Sequence, residues 1–277
     1  MMKASPRISD DEIIRREERL RDWFTEGQDE IMREIDGLDI GWGGSQRWAT
    51  ANMPEIHAGR HLDFACGYGT FLAQLGWRFP DVTLYGLNID FTGPHACIRK
   101  LLGRAKVSVT LVQSDARSMP FSDLTFDSVS CFLGLQDMRI GFADEGVRRA
   151  VTEAIRVLKP RGCLILVDDF TFETLLALLS TECTKVVFKG EFTLDVKWCR
   201  RVAEAAIKLY SDGWITQARV DEPPHREVVY AETYKRMKEK MEQQFGAKGF
   251  YTPHGPIRMV VAEKTRGGTA MFEERKV

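Results

Sequence analysis

The stretch Arg60 to Leu72, RHLDFACGYGTFL, constrains this chain more than any other. An apolar run ends in Asp63, a turn carries Gly67 and Gly69, and a helix-compatible segment opens at Thr70. The pattern predicts a strand, a tight loop and a helix N-terminus. Such a junction aims backbone N–H groups and the positive helix end at the anionic part of a ligand.

The spacing narrows the ligand. A dinucleotide loop needs a third small residue three positions after the second glycine, so that the helix packs close to the strand beside the pyrophosphate. Leu72 stands there, which disfavours an NAD-dependent oxidoreductase. Two glycines without the third suit a ligand that lacks a pyrophosphate and lays a methionine-like tail on the loop. S-adenosylmethionine is such a ligand. A second strand, predicted over 82–88, ends about twenty residues further on, where ribose hydroxyls are held. The side chain there is Asn88, a neutral amide in place of the usual carboxylate.

A chain of 277 residues is long enough for one large core with additions. Its net charge of −1 comes from mixed charges, so no basic footprint for nucleic acid or an anionic membrane stands out. There is no run of eighteen apolar residues, and the start, MMKASPRISDDE, is too polar for a signal peptide. The expectation is a cytoplasmic protein without a membrane partner. Cysteines at 66, 97, 131, 163, 183 and 199 form no close pair, and no histidine stands at metal-ligand spacing. They read as reduced thiols, and no metal is expected.

At this point a resemblance is clear. DFACGYGT resembles motif I of the class I (Rossmann-like) S-adenosylmethionine-dependent methyltransferases of the small-molecule type. LYGLNID (84–90), SDARSMPFSDLTFDSVSC (114–131) and EAIRVLKPRGCLILVDD (153–169) follow in order at the family's spacing. The resemblance implies an α/β, doubly wound seven-stranded sheet of order 3-2-1-4-5-7-6. The last strand would be antiparallel, with N-terminal helices and a helical insertion near the C-terminus. It implies methyl transfer from S-adenosylmethionine to an oxygen, nitrogen or carbon nucleophile of a small molecule. The implied cofactor contacts are Asp63, Phe64, Ala65, Cys66, Gly67 and Gly69 in the loop, Asn88 and Ile89 after the second strand, and Leu133 after the fourth. Asp115 would accept from the adenine amino group, and Ala116 would leave room for the ring. The expected division is 1–59 as N-terminal helices and flap, 60–264 as the cofactor-binding domain with a helical lid over about 196–250, and 265–277 as a tail.

The N-terminal part begins with a capping box, Ser9 with Glu12, ahead of apolar residues at helical spacing from Ile13 to Phe24. A second helix is predicted over 28–35. The segment LDIGWGGSQRW (38–48) matches no regular element. It reads either as a loop closing these helices onto the sheet or, by the resemblance, as a flap over the cofactor that uses Trp42 and Gln46.

Helices are predicted over 70–79, 94–102 and 144–158, and further strands over 106–113, 126–133 and 162–167. GLQDM (134–138) follows the fourth strand and faces the cleft in which open α/β sheets bind ligands. Many relatives place a histidine there; this chain has Gln136 and Asp137. Asp168 and Asp169 follow the fifth strand. They are placed to accept a proton, attract a cationic substrate or cap the helix beginning near Thr171. Gln136, Asp137 and Asp168 are the catalytic candidates. His225 and His254 are further bases if the acceptor must lose a proton.

The later chain is predicted to hold strands over 186–193 and 257–264 and a helix over 196–210. Tyr230, Tyr234, Met237, Met241 and Phe245 form an apolar stripe on an otherwise charged helix. The stripe reads either as core packing or, for Tyr230, Tyr234, Met237 and Met241, as the apolar wall of an acceptor pocket. Two rival functions stay open. A nucleic-acid or protein methyltransferase would share the cofactor half, though the amino-methylating signature of Asp or Asn, two prolines and an aromatic is absent after the fourth strand. A non-catalytic S-adenosylmethionine-binding regulatory protein would keep the fold without the histidine. The acceptor's identity and the oligomeric state are not legible.

Overall fold

The computed structural model describes residues 8–56, 59–179, 183–217 and 223–265. Its strands are β1 (Arg60–Phe64), β2 (Thr83–Asn88), β3 (Val109–Gln113), β4 (Phe126–Phe132), β5 (Leu158–Asp168), β6 (Thr184–Phe192) and β7 (Ile257–Lys264). They form one sheet in the order β3-β2-β1-β4-β5-β7-β6. The first five run parallel, and β7 is antiparallel to both β5 and β6. This is the topology that the motif order implied. The central strands are covered on both faces, which suits continuous apolar runs: Leu164, Ile165, Leu166 and Val167 of β5 are all fully buried.

The covering helices are α1 (Asp10–Phe24), α2 (Glu30–Asp39), α3 (Ser45–Asn52), α4 (Thr70–Arg78), α5 (Ile98–Ala105), α6 (Leu135–Val157), α7 (Phe172–Leu178), α8 (Arg200–Gln217) and α9 (Pro223–Lys248). Residues of α6 and α7 pack one face of the sheet, and residues of α3, α4 and α5 pack the other. The capping box behaves as expected at its first bond, with Ser9 Oγ accepting from the Glu12 amide at 3.2 Å.

Several expectations are corrected. The second helix starts at Glu30, capped by Asp29, and runs on to Asp39. Segment 38–48 is not irregular throughout: Gly41, Gly43 and Gly44 take positive φ to form a tight turn, and α3 begins at Ser45. The helix predicted over 144–158 begins earlier, because residues 135–138 of GLQDM form the first turn of α6, which breaks at Ala143 (φ 54°) before continuing. The cap of α7 is Thr171, whose side chain accepts from the Thr174 amide, so neither Asp168 nor Asp169 serves there.

The stripe on α9 packs inward. Met241 is buried, and Tyr234, Met237 and Phe245 lie against it in a cluster with Ala203 and Ile207 of α8, Ile35 and Leu38 of α2, Trp198 and Tyr251. The side chains of Tyr230 and His225, and the tail from residue 266, fall outside the described residues.

Candidate active site

The loop after β1 begins with strain. Ala65 has φ 55°, and Leu133, at the end of the neighbouring β4, has φ 53°. Left-handed backbone at a non-glycine residue costs about 1 to 3 kcal/mol and collects at functional sites. The two loops touch: a Cβ on Gly134 would lie 2.6 Å from the Ala65 Cβ, so only glycine lets them approach this closely. Between them opens a cavity of about 420 Å³ lined by Asp63, Ala65, Cys66, Gly67, Leu133 and Gly134 on the sheet side. Trp42 and Gln46 close it from the N-terminal segment, and Gln136, Asp137, Asp169, Tyr210 and His254 close it from the far side.

A second cavity of about 180 Å³ shares Ala65, Gly67, His95, Gly134 and Asp137 with the first. Its walls carry Asn88, Ile89, Asp115, Ala116, Arg117, Met138 and Phe142. The two together form a bent cleft across the carboxyl ends of the strands. The resemblance would place a nucleoside in the smaller arm, and an amino-acid tail and a further small molecule in the larger.

The nucleoside arm is held by short polar contacts. Asn88 donates its amide to the Asp90 carbonyl at 2.6 Å, and its nitrogen lies 3.2 Å from His95 Nδ1. Asp115 accepts from the Arg117 side chain with both oxygens and from the Arg117 backbone amide. That hydrogen bonding holds the Asp115 carboxyl below its usual range, so it stays an ionised acceptor with lone pairs beyond those Arg117 uses. Arg117 in turn lies 3.6 Å over the Phe142 ring.

At the bend, Asp63 is 1% exposed and accepts from Ser130 Oγ at 2.5 Å. Burial pushes its carboxyl up to about 7 against the lowering effect of that bond. Behind it His61 bridges the Ser128 and Ser130 hydroxyls at 2.7 and 2.9 Å, and burial pushes the imidazole down to about 3, so it is neutral. Gln46 is 1% exposed and donates to Thr70 Oγ1 at 2.8 Å, while its Oε1 has no partner. A buried bare acceptor beside the glycine loop fits a donor group of the expected cofactor.

The far wall holds the pairing that the sequence did not show. His254 Nδ1 lies 3.3 Å from Asp169 Oδ2, and the imidazole meets the Trp42 ring edge-on with centroids 4.9 Å apart. Burial opposes ionisation of Asp169, but its bond to and the charge of His254 outweigh that and leave its carboxyl below the usual range. Neighbouring Asp168 has a different task. It is fully buried, accepts from the Leu135 and Asp169 amides at 3.0 Å each, and satisfies an otherwise unpaired donor at the start of α6. Burial and the charge of Asp169 raise its carboxyl well above the usual range.

Of the predicted site residues, the cleft brings together Asp63, Ala65, Cys66, Gly67, Asn88, Ile89, Asp115, Ala116, Leu133, Trp42, Gln46, Gln136 and Asp137. Others lie elsewhere. The Phe64 side chain is buried in the core beneath α6. Gly69 turns the chain with φ 80° at the start of α4, where a Cβ would lie 2.9 Å from Ile98. Asp168 is a structural acceptor, not a wall residue. Tyr234, Met237 and Met241 form the seam between α9 and α8, and Leu209 and Tyr210 of α8 take the place in the cavity wall expected of them. Sequence reasoning missed Tyr68, His95, Arg117 and Phe142: Tyr68 and Arg117 stand inside the quoted blocks DFACGYGT and SDARSMPFSDLTFDSVSC, which could have marked them, whereas His95 and Phe142 belong to no recognisable spacing.

Residues 62–166 match a family model described as a methyltransferase domain. The demethylmenaquinone methyltransferase of Deinococcus radiodurans is 33% identical over 133 residues, covering 48% of this chain and 51% of that protein. The fatty-acid O-methyltransferase of Mycolicibacterium smegmatis is 28% identical over 120 residues, covering 43% and 40%. The chain spans about half the length of the curated relatives it matches. Among solved structures, a methyltransferase-like protein of Bacillus halodurans superposes with a TM-score of 0.54 at 18% identity, covering 80% of this chain and 99% of that one, a likeness of fold alone. The domain match, the strand order and the glycine loop agree: residues 62–166 are similar to a methyltransferase domain, and the sheet around them has the Rossmann-like methyltransferase order.

Proposed function

We propose that this chain transfers a methyl group from S-adenosylmethionine to a small-molecule acceptor, with His254 as the base and Asp169 as its positioning partner. The bent cleft carries this reading, because the smaller arm shares five wall residues with a second chamber whose lining includes the His254–Asp169 pair. The backbone of Ala65 to Gly67 would hold the methionine tail, Asn88 the ribose, and Asp115 with Ala116 the adenine. Bound there, S-adenosylmethionine supplies the methyl group on a sulfonium that is already a good leaving centre. Much of the acceleration then comes from holding the nucleophile in line.

The chain's own groups do the rest. Asp169 accepts from His254 Nδ1 and so leaves Nε2 as the basic nitrogen. Trp42 packs edge-on against the imidazole and limits its rotation. Gln136 and Asp137 offer polar contacts to the acceptor from the first turn of α6. Segment 38–48 would act as a flap, since Trp42 and Gln46 line the cavity beside the glycine loop, while α8 rather than the stripe on α9 would serve as the acceptor's wall. A recessed chamber suits a small molecule better than a nucleic acid or a folded protein, and the relatives are named for small acceptors, demethylmenaquinone and fatty acids.

The test is mass spectrometry of a cell extract incubated with the protein and isotopically labelled S-adenosylmethionine. Label in a low-molecular-weight product is the expected result. Label confined to RNA or protein would overturn the small-molecule reading. Tight binding of the cofactor with no labelled product in extracts of several sources would leave the regulatory reading standing instead.

A further inference from the structure

The chamber beyond the glycine loop has an unusual charge balance. Asp36 and Asp39 enter it from α2, Asp137 from α6 and Asp169 from the end of β5, and its lining among the described residues includes no lysine or arginine. Asp169 is compensated by His254 and by the charge of Lys240 on α9. Asp36 receives the Gln28 amide at 2.7 Å, a neutral donor. Asp39 has no hydrogen-bond partner among the described residues, and burial together with the charges of Asp36 and Asp137 pushes its carboxyl up to about 8. S-adenosylmethionine brings a sulfonium, an ammonium and a carboxylate, one net positive charge. That is fewer than the acidic groups facing it.

Two further observations point the same way. The Tyr210 hydroxyl is buried in the chamber wall without a partner. A buried polar group left unpaired costs about 1 to 3 kcal/mol, and an ammonium would supply a donor to its oxygen. The wall also presents the rings of Trp42, Tyr68 and Tyr210, whose faces attract cations. A cation placed between Asp36 and Asp39 would restore their ionised form, whereas an anionic acceptor would meet a lining without lysine or arginine.

Resting on the methyl-transfer reading above, we infer that the acceptor is an amine, bound as its ammonium by Asp36 and Asp39 among these rings. Before transfer the ammonium passes a proton to His254. The freed nitrogen lone pair then forms the N–C bond as the C–S bond breaks, with that electron pair staying on sulfur. The products are the N-methylammonium form of the acceptor, S-adenosylhomocysteine and the proton on His254, which leaves to solvent.

The experiment is calorimetric titration of the protein saturated with S-adenosylhomocysteine, using phenethylamine, phenylethanol and phenylacetate as probes of one shape and three charges. Phenethylamine is expected to bind at least about 10-fold more tightly than the other two, a difference of about 1.4 kcal/mol. In Asp39→Asn protein that still binds S-adenosylhomocysteine, the preference should shrink to less than about 3-fold, since the neutral amide no longer pairs with the cation. Equal or tighter binding of the alcohol or the carboxylate, or no binding of the amine to the loaded protein, overturns the inference and leaves methyl transfer intact. An undiminished preference in Asp39→Asn overturns the placement of the ammonium. Failure of the wild-type protein to bind S-adenosylhomocysteine refutes the methyl-transfer reading, and the amine inference falls with it.

Discussion

His254 Nδ1 stands 3.3 Å from Asp169 Oδ2, across 85 residues of intervening chain. The strand β5 delivers the carboxylate, and the segment entering β7 delivers the imidazole. Because β5 and β7 are antiparallel neighbours, with Asp168 opposite Arg258, the end of one strand meets the approach to the other. A positioned histidine of this kind contributes about 10²- to 10⁴-fold in rate. His254→Ala should therefore lower kcat by about 10²- to 10⁴-fold. Asp169→Asn should lower kcat less, because it keeps the ring's neighbour but loses its charge. Retained kcat in His254→Ala would remove the histidine from the mechanism.

Asp63 makes the ligand-free protein pH-sensitive. Its carboxyl is pushed by burial to about 7 in the folded chain, against about 3.9 when unfolded. Between those values the folded state holds the extra proton, so stability is fullest below about pH 4 and falls as pH rises through about 7. Asp39 acts in the same direction with a carboxyl raised to about 8. Thermal melts at pH 5 and 7.5 should show a drop in Tm that is smaller in Asp63→Asn. An equal drop in both proteins would mean that Asp63 is not the group responsible.

Asn88 has a demanding local geometry. Its amide nitrogen donates to the Asp90 carbonyl at 2.6 Å, so a carboxylate at this position would set oxygen against oxygen. Asn88→Asp should therefore bind S-adenosylhomocysteine more weakly than wild type, although a carboxylate is common at this place in the fold. Asn88→Leu should lose about 1 to 3 kcal/mol by leaving polar groups unpaired. Calorimetry on the three proteins decides it, and an improved affinity in Asn88→Asp would show that the Asp90 contact is dispensable.

Met241 tests the stripe on α9. It is 1% exposed and packs among Trp198, Ile207 and Tyr251. Met241→Ala should cost about 2 to 5 kcal/mol of stability by opening a cavity. Because Met241 lies outside the cleft's lining, the affinity for S-adenosylhomocysteine at a temperature where the variant is folded should hold within about 2-fold, well under the 1.4 kcal/mol of a decade. A variant of normal stability with altered acceptor discrimination would return the stripe to the acceptor wall.

Local chemistry determined much of this protein. The alternation of apolar strand, glycine turn and helix, repeated in order, specifies a parallel doubly wound sheet, because buried strands must be apolar on both faces and each crossover needs a helix. The glycine pair, Asn88, Asp115 and Ala116 lie just at or after strand ends, and strand ends converge on one edge whatever the details of packing. Tertiary structure alone decided the rest. Asp168 and Asp169 are chemically alike and adjacent, yet the pleat sends the first into the core to cap α6 and the second into the cleft. The stripe from Tyr234 to Phe245 has the same spacing whether it packs on α8 or covers a ligand, and only the position of α8 settles which. Asp36, Asp39, Asp137 and His254 come from distant segments with no shared motif. Their convergence depends on how α2 and the approach to β7 dock on the sheet, a long-range packing outcome that residue spacing does not encode.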